Sequence, residues 1–125
     1  MNTVAFFCDR NMIPGFHAAS SSLLINNCST TPLKIFAFSD GLSQKEKQLI
    51  FKTFQKLRKE NHSLEIRKAP IMKIPGANSL SGNFTAYGRL FLGELLQESN
   101  LVLYLDSDII INMDINTVFE EMVGD

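Results

Sequence analysis

Two carboxylates, Asp106 and Asp108, interrupt the otherwise apolar stretch LVLYLDSDIII at residues 101–111. Burying an isolated carboxylate costs much free energy, and two neighbouring carboxylates repel each other. Residues two apart on a strand point to the same side, so both acids can converge if extended backbone persists through Ser107. A divalent cation would offset both costs, and oxygen ligands favour Mg²⁺ or Mn²⁺. The spacing thus indicates a metal site able to hold a leaving diphosphate, although two solvated acids at a strand end also fit it.

The composition narrows the class of protein. The chain has 125 residues, enough for one domain, with 45% hydrophobic and 20% charged residues, as in a globular core. A net charge of −1 gives no basic field for nucleic acid. No apolar run approaches the roughly 20 residues of a membrane span, and the first residues do not resemble a secretory signal. Cys8 and Cys28, outside any CxxC pattern, favour thiols in a reducing cytoplasm.

Apolar runs alternate with helical patterns along the chain. The strands are expected at 3–8, 33–41, 63–69 and 101–105. The helices are expected from Pro14, after the capping box of Ser43 and Glu46, after Asn83, and from Asp114 or Asn116 to Met122. Phe16 and Phe54 lie on the apolar stripes of the first two helices, which predicts that both are buried. A loop is expected at 70–83. This order predicts an α/β fold, a mostly parallel sheet with helices on both faces.

Polar clusters follow two of the predicted strands. One is Asp9-Arg10-Asn11 after the first strand, and the other is Asp106-Ser107-Asp108 after the fourth. Ligands of open α/β sheets bind beyond the carboxyl ends of the strands, so both clusters are candidate site residues. The lysines of the second helix form either a solvated face or a surface for a membrane or phosphates.

Three blocks of the sequence carry a family resemblance. VLYLDSDIII, preceded by FTAYGRLFLGELL, resembles glycosyltransferase family 8, which includes bacterial lipopolysaccharide galactosyl- and glucosyltransferases. VAFFCDRN at the start and INMDINTVFEEMVGD at the end are similar to that family as well. The resemblance implies a GT-A type, Rossmann-like fold. It also implies retaining transfer of a hexose from a UDP-sugar to a saccharide acceptor, usually with Mn²⁺, in lipopolysaccharide or other surface-glycan synthesis.

The same resemblance assigns the nucleoside-binding residues. Asp9 and Asn11 match positions that hold the uracil and ribose, and the main chain of Phe7 and Cys8 matches the segment that approaches the base. Asp9 would otherwise simply cap the first helix. Met12 stands where relatives often carry an aromatic ring on the uracil, and a thioether can still pack there.

The diphosphate end is assigned in the same way. Arg89 matches the arginine of the Y-x-R-L block, which contacts the donor near its diphosphate and sugar, or is instead a partly buried salt-bridge partner. Asp106 and Asp108 match the ligands of the Mn²⁺ or Mg²⁺ ion. Ser107 matches a position close to the ribose.

Family members continue well beyond 125 residues, and the resemblance places their acceptor site and catalytic residues in the later part. Residues 1–125 are therefore expected to form the N-terminal, donor-binding half of a truncated transferase, nearly inactive alone and prone to self-association. Two alternatives stay open. One is a non-catalytic module that binds nucleotide-sugar. The other is a fragment of a haloacid dehalogenase-type phosphatase, whose D-x-D holds a phosphorylated nucleophile.

Overall fold

Four parallel strands form the centre of the fold. The computed structural model describes residues 2–8, 10–27, 31–39, 41–59, 61–68, 101–107 and 109–124. The strands are β1 (Asn2–Phe7), β2 (Leu33–Ser39), β3 (Ser63–Lys68) and β4 (Val102–Leu105). They lie in the order β3-β2-β1-β4, and every neighbouring pair is parallel. The predicted α/β fold with a parallel sheet is confirmed, and each strand lies within two residues of its predicted bounds.

Within the described ranges, three helices and one short turn are built on this sheet. A 3₁₀ turn (Arg10–Met12) leads into α1 (Ile13–Ile25), α2 covers Gln44–Leu57, and α3 covers Asn116–Gly124. The predicted capping box is present, because Ser43 Oγ accepts from the Glu46 N–H and Glu46 Oε1 accepts from the Ser43 N–H. Before it, Gly41 has a φ of 83°, a left-handed conformation that glycine adopts without a Cβ clash. These local signals set where α2 begins.

One face of the sheet packs against the helices. Side chains at alternate positions of β1 and β2 point to this face and meet the apolar stripes of α1, α2 and α3. Phe16 of α1 and Phe54 of α2 are buried as the helical spacing predicted, and Ile115 and Phe119 bring α3 to the same core. The lysines of the predicted α2 surface, Lys45, Lys52, Lys56 and Lys59, are exposed.

The other face of the sheet carries an aromatic row. Phe7 stacks on Phe38 with ring centroids 5.0 Å apart, Phe36 stacks on Phe38 at 6.1 Å, and Tyr104 tilts against Phe7 at 5.9 Å. The guanidinium of Arg67 lies over the Phe36 ring. The predicted loop at 70–83 and the helix after Asn83 fall outside the described residues. No helix in the described ranges is long and apolar enough to cross a membrane.

Candidate functional site

The strand order defines a crevice at the carboxyl ends of β1 and β4. From β1 the chain passes through α1 to β2 and through α2 to β3, always on the same side of β1, whereas β4 lies on its other side. Connections that diverge from neighbouring strands leave a gap above the strand ends, where α/β proteins bind ligands. Both polar clusters of the sequence follow these two strands.

Phe7, Cys8 and Ser107 lie together at this corner. Ser107 is buried, and its hydroxyl donates a 2.6 Å hydrogen bond to the Phe7 carbonyl. The Cys8 N–H donates to the Phe38 carbonyl at 2.9 Å. The Phe7 side chain belongs to the aromatic row, and the Cys8 side chain is buried on the helix-covered face. Both side chains are thus packed on the faces of the sheet, so a ligand contact by Phe7 or Cys8 would have to involve the main chain.

Asp106 is the exposed acid of the corner. It follows the last residue of β4, and no described residue forms a hydrogen bond or ion pair with its carboxylate. Ser107, however, lies in a turn. The condition of extended backbone through Ser107, on which the strand argument for converging acids depended, is therefore not met. Asp108 lies outside the described residues.

Among the described side chains of the segment after β1, Asn11 is a candidate. Asn11 is exposed in the 3₁₀ turn that begins α1. Met12 is partly buried and packs against the helix-side core, which gives its thioether a structural role. Asp9 and Arg89 lie outside the described residues, so their assignments stay predictions.

The donor atoms at the corner suit a hard divalent cation. A carboxylate oxygen from Asp106 and main-chain oxygens are ligands that Mn²⁺ and Mg²⁺ accept. Within the described ranges, no three His, Cys, Asp or Glu side chains cluster closely enough to hold a metal. Neither Asp9 nor Asp108 belongs to those ranges. The residues present are compatible with the ion as part of a larger ligand set.

A second hollow lies on the other side of β1. A cavity of about 280 Å³ opens at the carboxyl ends of β2 and β3, bordered by Ser39, Lys47, Ile66 and Lys68 among others. Its side chains are mainly apolar or basic, and none of the described residues that were predicted to bind donor borders it. Those described residues, Phe7, Cys8, Asn11, Asp106 and Ser107, lie at or after the ends of β1 and β4.

Sequence reasoning missed a buried polar network at the opposite, amino end of the sheet. His62 Nδ1 accepts from the Leu33 N–H at 2.9 Å, and its Nε2 lies 2.9 Å from the Asn27 side-chain amide. Asn116 Nδ2 donates to Asn27 Oδ1 and to the Thr31 carbonyl. Three polar residues scattered along the sequence give no local pattern. Their buried mutual bonding indicates a structural role.

In an open α/β sheet of this topology, ligands bind beyond the carboxyl ends of the strands, where the exposed polar groups of the β1–β4 corner lie. The sequence profile described as Glycosyl transferase family 8 matches residues 3–124, and the chain belongs to this family. This result decides against the phosphatase alternative. A comparison with curated protein sequences gave no match.

Solved structures show the same fold. The WbbM bifunctional glycosyltransferase matches with a TM-score of 0.77 and 17% identity, over 95% of this chain and 20% of that chain. The galactosyltransferase LgtC, in complex with donor and acceptor sugar analogues, matches with a TM-score of 0.69 and 21% identity, over 94% and 42%. Mouse xyloside xylosyltransferase 1 matches at 0.69 and 14%, over 98% and 48%. The chain therefore spans a fifth to about half of these proteins.

Proposed function

We propose that this chain is the donor- and metal-binding part of a retaining hexosyltransferase. The enzyme would move a hexose from a UDP-sugar to a saccharide acceptor in lipopolysaccharide or other surface-glycan synthesis. The observation that carries the proposal is the exposed Asp106 carboxylate, without a described partner, at the corner where Phe7 and Cys8 end β1. Family membership supports the reaction class.

The proposed roles follow the two polar clusters. Asp9 and Asn11 bind the uracil and ribose, and the main chain at Phe7 and Cys8 borders the base. Asn11 supports this role because its amide is exposed beside the corner and offers both a donor and an acceptor. A uracil edge presents the complementary groups.

At the diphosphate end, Asp106 and Asp108 hold Mn²⁺ or Mg²⁺, Arg89 contacts the donor, and Ser107 lies near the ribose. The ion, when bound, neutralises charge that develops on the leaving diphosphate. Asp106 is suited to this task because an exposed carboxylate needs little desolvation before it meets a cation.

Transfer itself requires a positioned acceptor, and diphosphate binding alone does not provide one. Because the chain spans only a fifth to about half of the solved relatives, we expect residues 1–125 to bind donor but to transfer little hexose. The structural relative LgtC was solved in complex with donor and acceptor sugar analogues, which supports a saccharide acceptor. We place the reaction in the cytoplasm, with peripheral membrane contact and self-association as parts of the proposal.

Calorimetric titration of the 125-residue chain with UDP tests the proposal. UDP affinity should rise when Mn²⁺ is present, because the ion links the diphosphate to the carboxylates. The variant Asp106→Asn should lose about tenfold or more of this affinity, as expected for a bond to a charged group.

The matched control is Glu120→Gln, which neutralises an exposed acid on α3. It should leave both UDP affinity and its Mn²⁺ dependence unchanged. Binding of UDP that ignores Mn²⁺, or an equal loss in both variants, would reject the metal-bridged donor site.

A further inference from the structure

The peptide group between Phe7 and Cys8 is held from both sides at the carboxyl end of β1. Its N–H donates to the Phe38 carbonyl of β2 at 2.9 Å. Its carbonyl accepts the 2.6 Å bond from Ser107 Oγ, which is buried and joins residues 100 positions apart. One peptide plane thereby connects the ends of three neighbouring strands.

The Ser107 side chain supplies a bond that the backbone ladder does not. Between β1 and β2 the paired register continues to Phe7 opposite Phe38, whereas between β1 and β4 it stops at Phe6 opposite Leu105. A parallel ladder requires extended backbone on both strands, and the turn at Ser107 ends that condition. The Ser107 hydroxyl therefore supplies the connection between β1 and the chain after β4, beyond the last backbone pair.

The chain beyond the turn is attached a second time. The Ile111 N–H donates to Ser22 Oγ at 2.8 Å, and the Ile111 carbonyl accepts from Asn26 Nδ2 at 2.8 Å. Ser22 lies in α1 and Asn26 caps its carboxyl end, and this helix begins beside Asn11. The segment from Ser107 to Ile111 is thus tied at one end to β1 and at the other end to α1.

We propose that Ser107 is a positioning residue for donor binding, acting through its bond to the Phe7 carbonyl. The bond holds the turn that carries Asp106 against the end of β1, from which the chain leads to Asn11. The metal-binding and nucleoside-binding parts therefore have a fixed relative position before the ligand binds. This inference rests on the proposed function. Preorganisation raises affinity because binding no longer includes the cost of ordering the turn.

The chemistry of the hydroxyl limits what else Ser107 does. A serine hydroxyl has one proton and two acceptor lone pairs. Its proton is donated to Phe7, so Ser107 can accept a hydrogen bond from a ribose hydroxyl but has none left to donate. The main effect of Ser107 on the ligand is therefore exerted through placement.

The test uses UDP calorimetry and the electron paramagnetic resonance signal of Mn²⁺ on three variants of the 125-residue chain. Ser107→Ala removes the bond, and Ser107→Cys keeps the shape with a weaker donor. Ser39→Ala is the matched control, because Ser39 ends β2, is similarly buried, and has a hydroxyl without a hydrogen-bond partner in the described structure. Urea unfolding of each variant establishes conditions where all chains are folded.

Under those conditions Ser107→Ala should weaken Mn²⁺-dependent UDP binding by about fivefold to tenfold, the effect of one hydrogen bond. Ser107→Cys should weaken this binding by less, and Ser39→Ala should bind UDP and Mn²⁺ as the unchanged chain does. If the folded Ser107 variants bind UDP and Mn²⁺ as the unchanged chain does, the inference is wrong while the donor site stands. If the unchanged chain itself shows no Mn²⁺-dependent UDP binding, the proposed function fails and the inference with it.

Discussion

Both ends of the sheet carry polar residues, but the burial and hydrogen bonding of these residues differ between the two ends. At the amino end, Asn2 donates to Asn116 at 2.6 Å, and Asn116, Asn27 and His62 are all buried and bonded to one another or to the main chain. At the carboxyl end, Asp106 and Asn11 are exposed, and the described structure gives the Asp106 carboxylate no partner. Most buried polar groups in folded proteins are paired, whereas exposed ones stay available to ligands. The contrast supports a structural role for the amino end, called here the structural end, and the proposed ligand-binding role for the carboxyl end, called here the binding end.

The largest effect on stability is expected from Asn116→Ala at the amino end. The change removes a side chain that bonds Asn2, Asn27 and the Thr31 carbonyl. Leaving buried groups unsatisfied should lower the free energy of unfolding by about 3 kcal/mol, measured by urea denaturation. The control Asn112→Ala, at an exposed position, should change it by less than about 0.5 kcal/mol. Equal stability of the two variants would show that the network does not support the fold.

The next largest effect should be a pH dependence of stability that originates at the amino end. Burial and the positive charge of Lys59 lower the pKa of His62 below its ordinary 6.5, while Asp114 acts in the opposite direction. The folded chain keeps His62 neutral, so the unfolded chain takes up the proton first as the pH falls. Stability from this group is therefore complete above about pH 6.5 and is lost progressively below it.

Urea midpoints measured between pH 8 and pH 5 check this prediction. His62→Gln should flatten the acid side of the profile, whereas His17→Gln, at a partly exposed position on α1, should keep its slope. A profile that His62→Gln leaves unaltered would contradict the assignment.

The smallest effect is expected from the α2 cap, which lies on the carboxyl side of β2 and yet is structural. Ser43→Ala removes the bond to the Glu46 N–H. It should lower the free energy of unfolding by about 1 kcal/mol, measured by thermal denaturation. UDP affinity should not change. A loss of UDP affinity in the fully folded Ser43→Ala variant would show that the ligand site includes the start of α2. The cap would then not be purely structural.

Much of the fold could be predicted because its signals are local. Apolar runs indicated β1 to β4, and the capping box indicated the start of α2 at the residue where the structure has it. Phe16 and Phe54 were recognised from helical spacing alone. The resemblance to the family indicated the type of sheet, and the matched profile confirms the family.

What the sequence could not give depends on distant pairs. The bond from Ser107 to Phe7 joins positions 100 apart, and the contact of Asn116 with Asn27 joins positions 89 apart. No periodicity marks such pairs, because only the folded sheet brings them together. The geometry at Ser107 stayed open for a related reason, since the predicted fourth strand ends at residue 105 and the sequence does not determine whether extended backbone or a turn follows it.

The central claim, that ligand binds at the carboxyl end and the amino end is structural, is tested most directly by the paramagnetic effect of Mn²⁺ on amide NMR signals. The six residues of β1 separate the two ends by about 20 Å. With UDP and Mn²⁺ present, the signals of Cys8, Asn11 and Ser107 should broaden strongly, while those of Asn27, His62 and Asn116 stay sharp. Broadening centred on His62 or Asn116, or equal across both ends, would contradict the account.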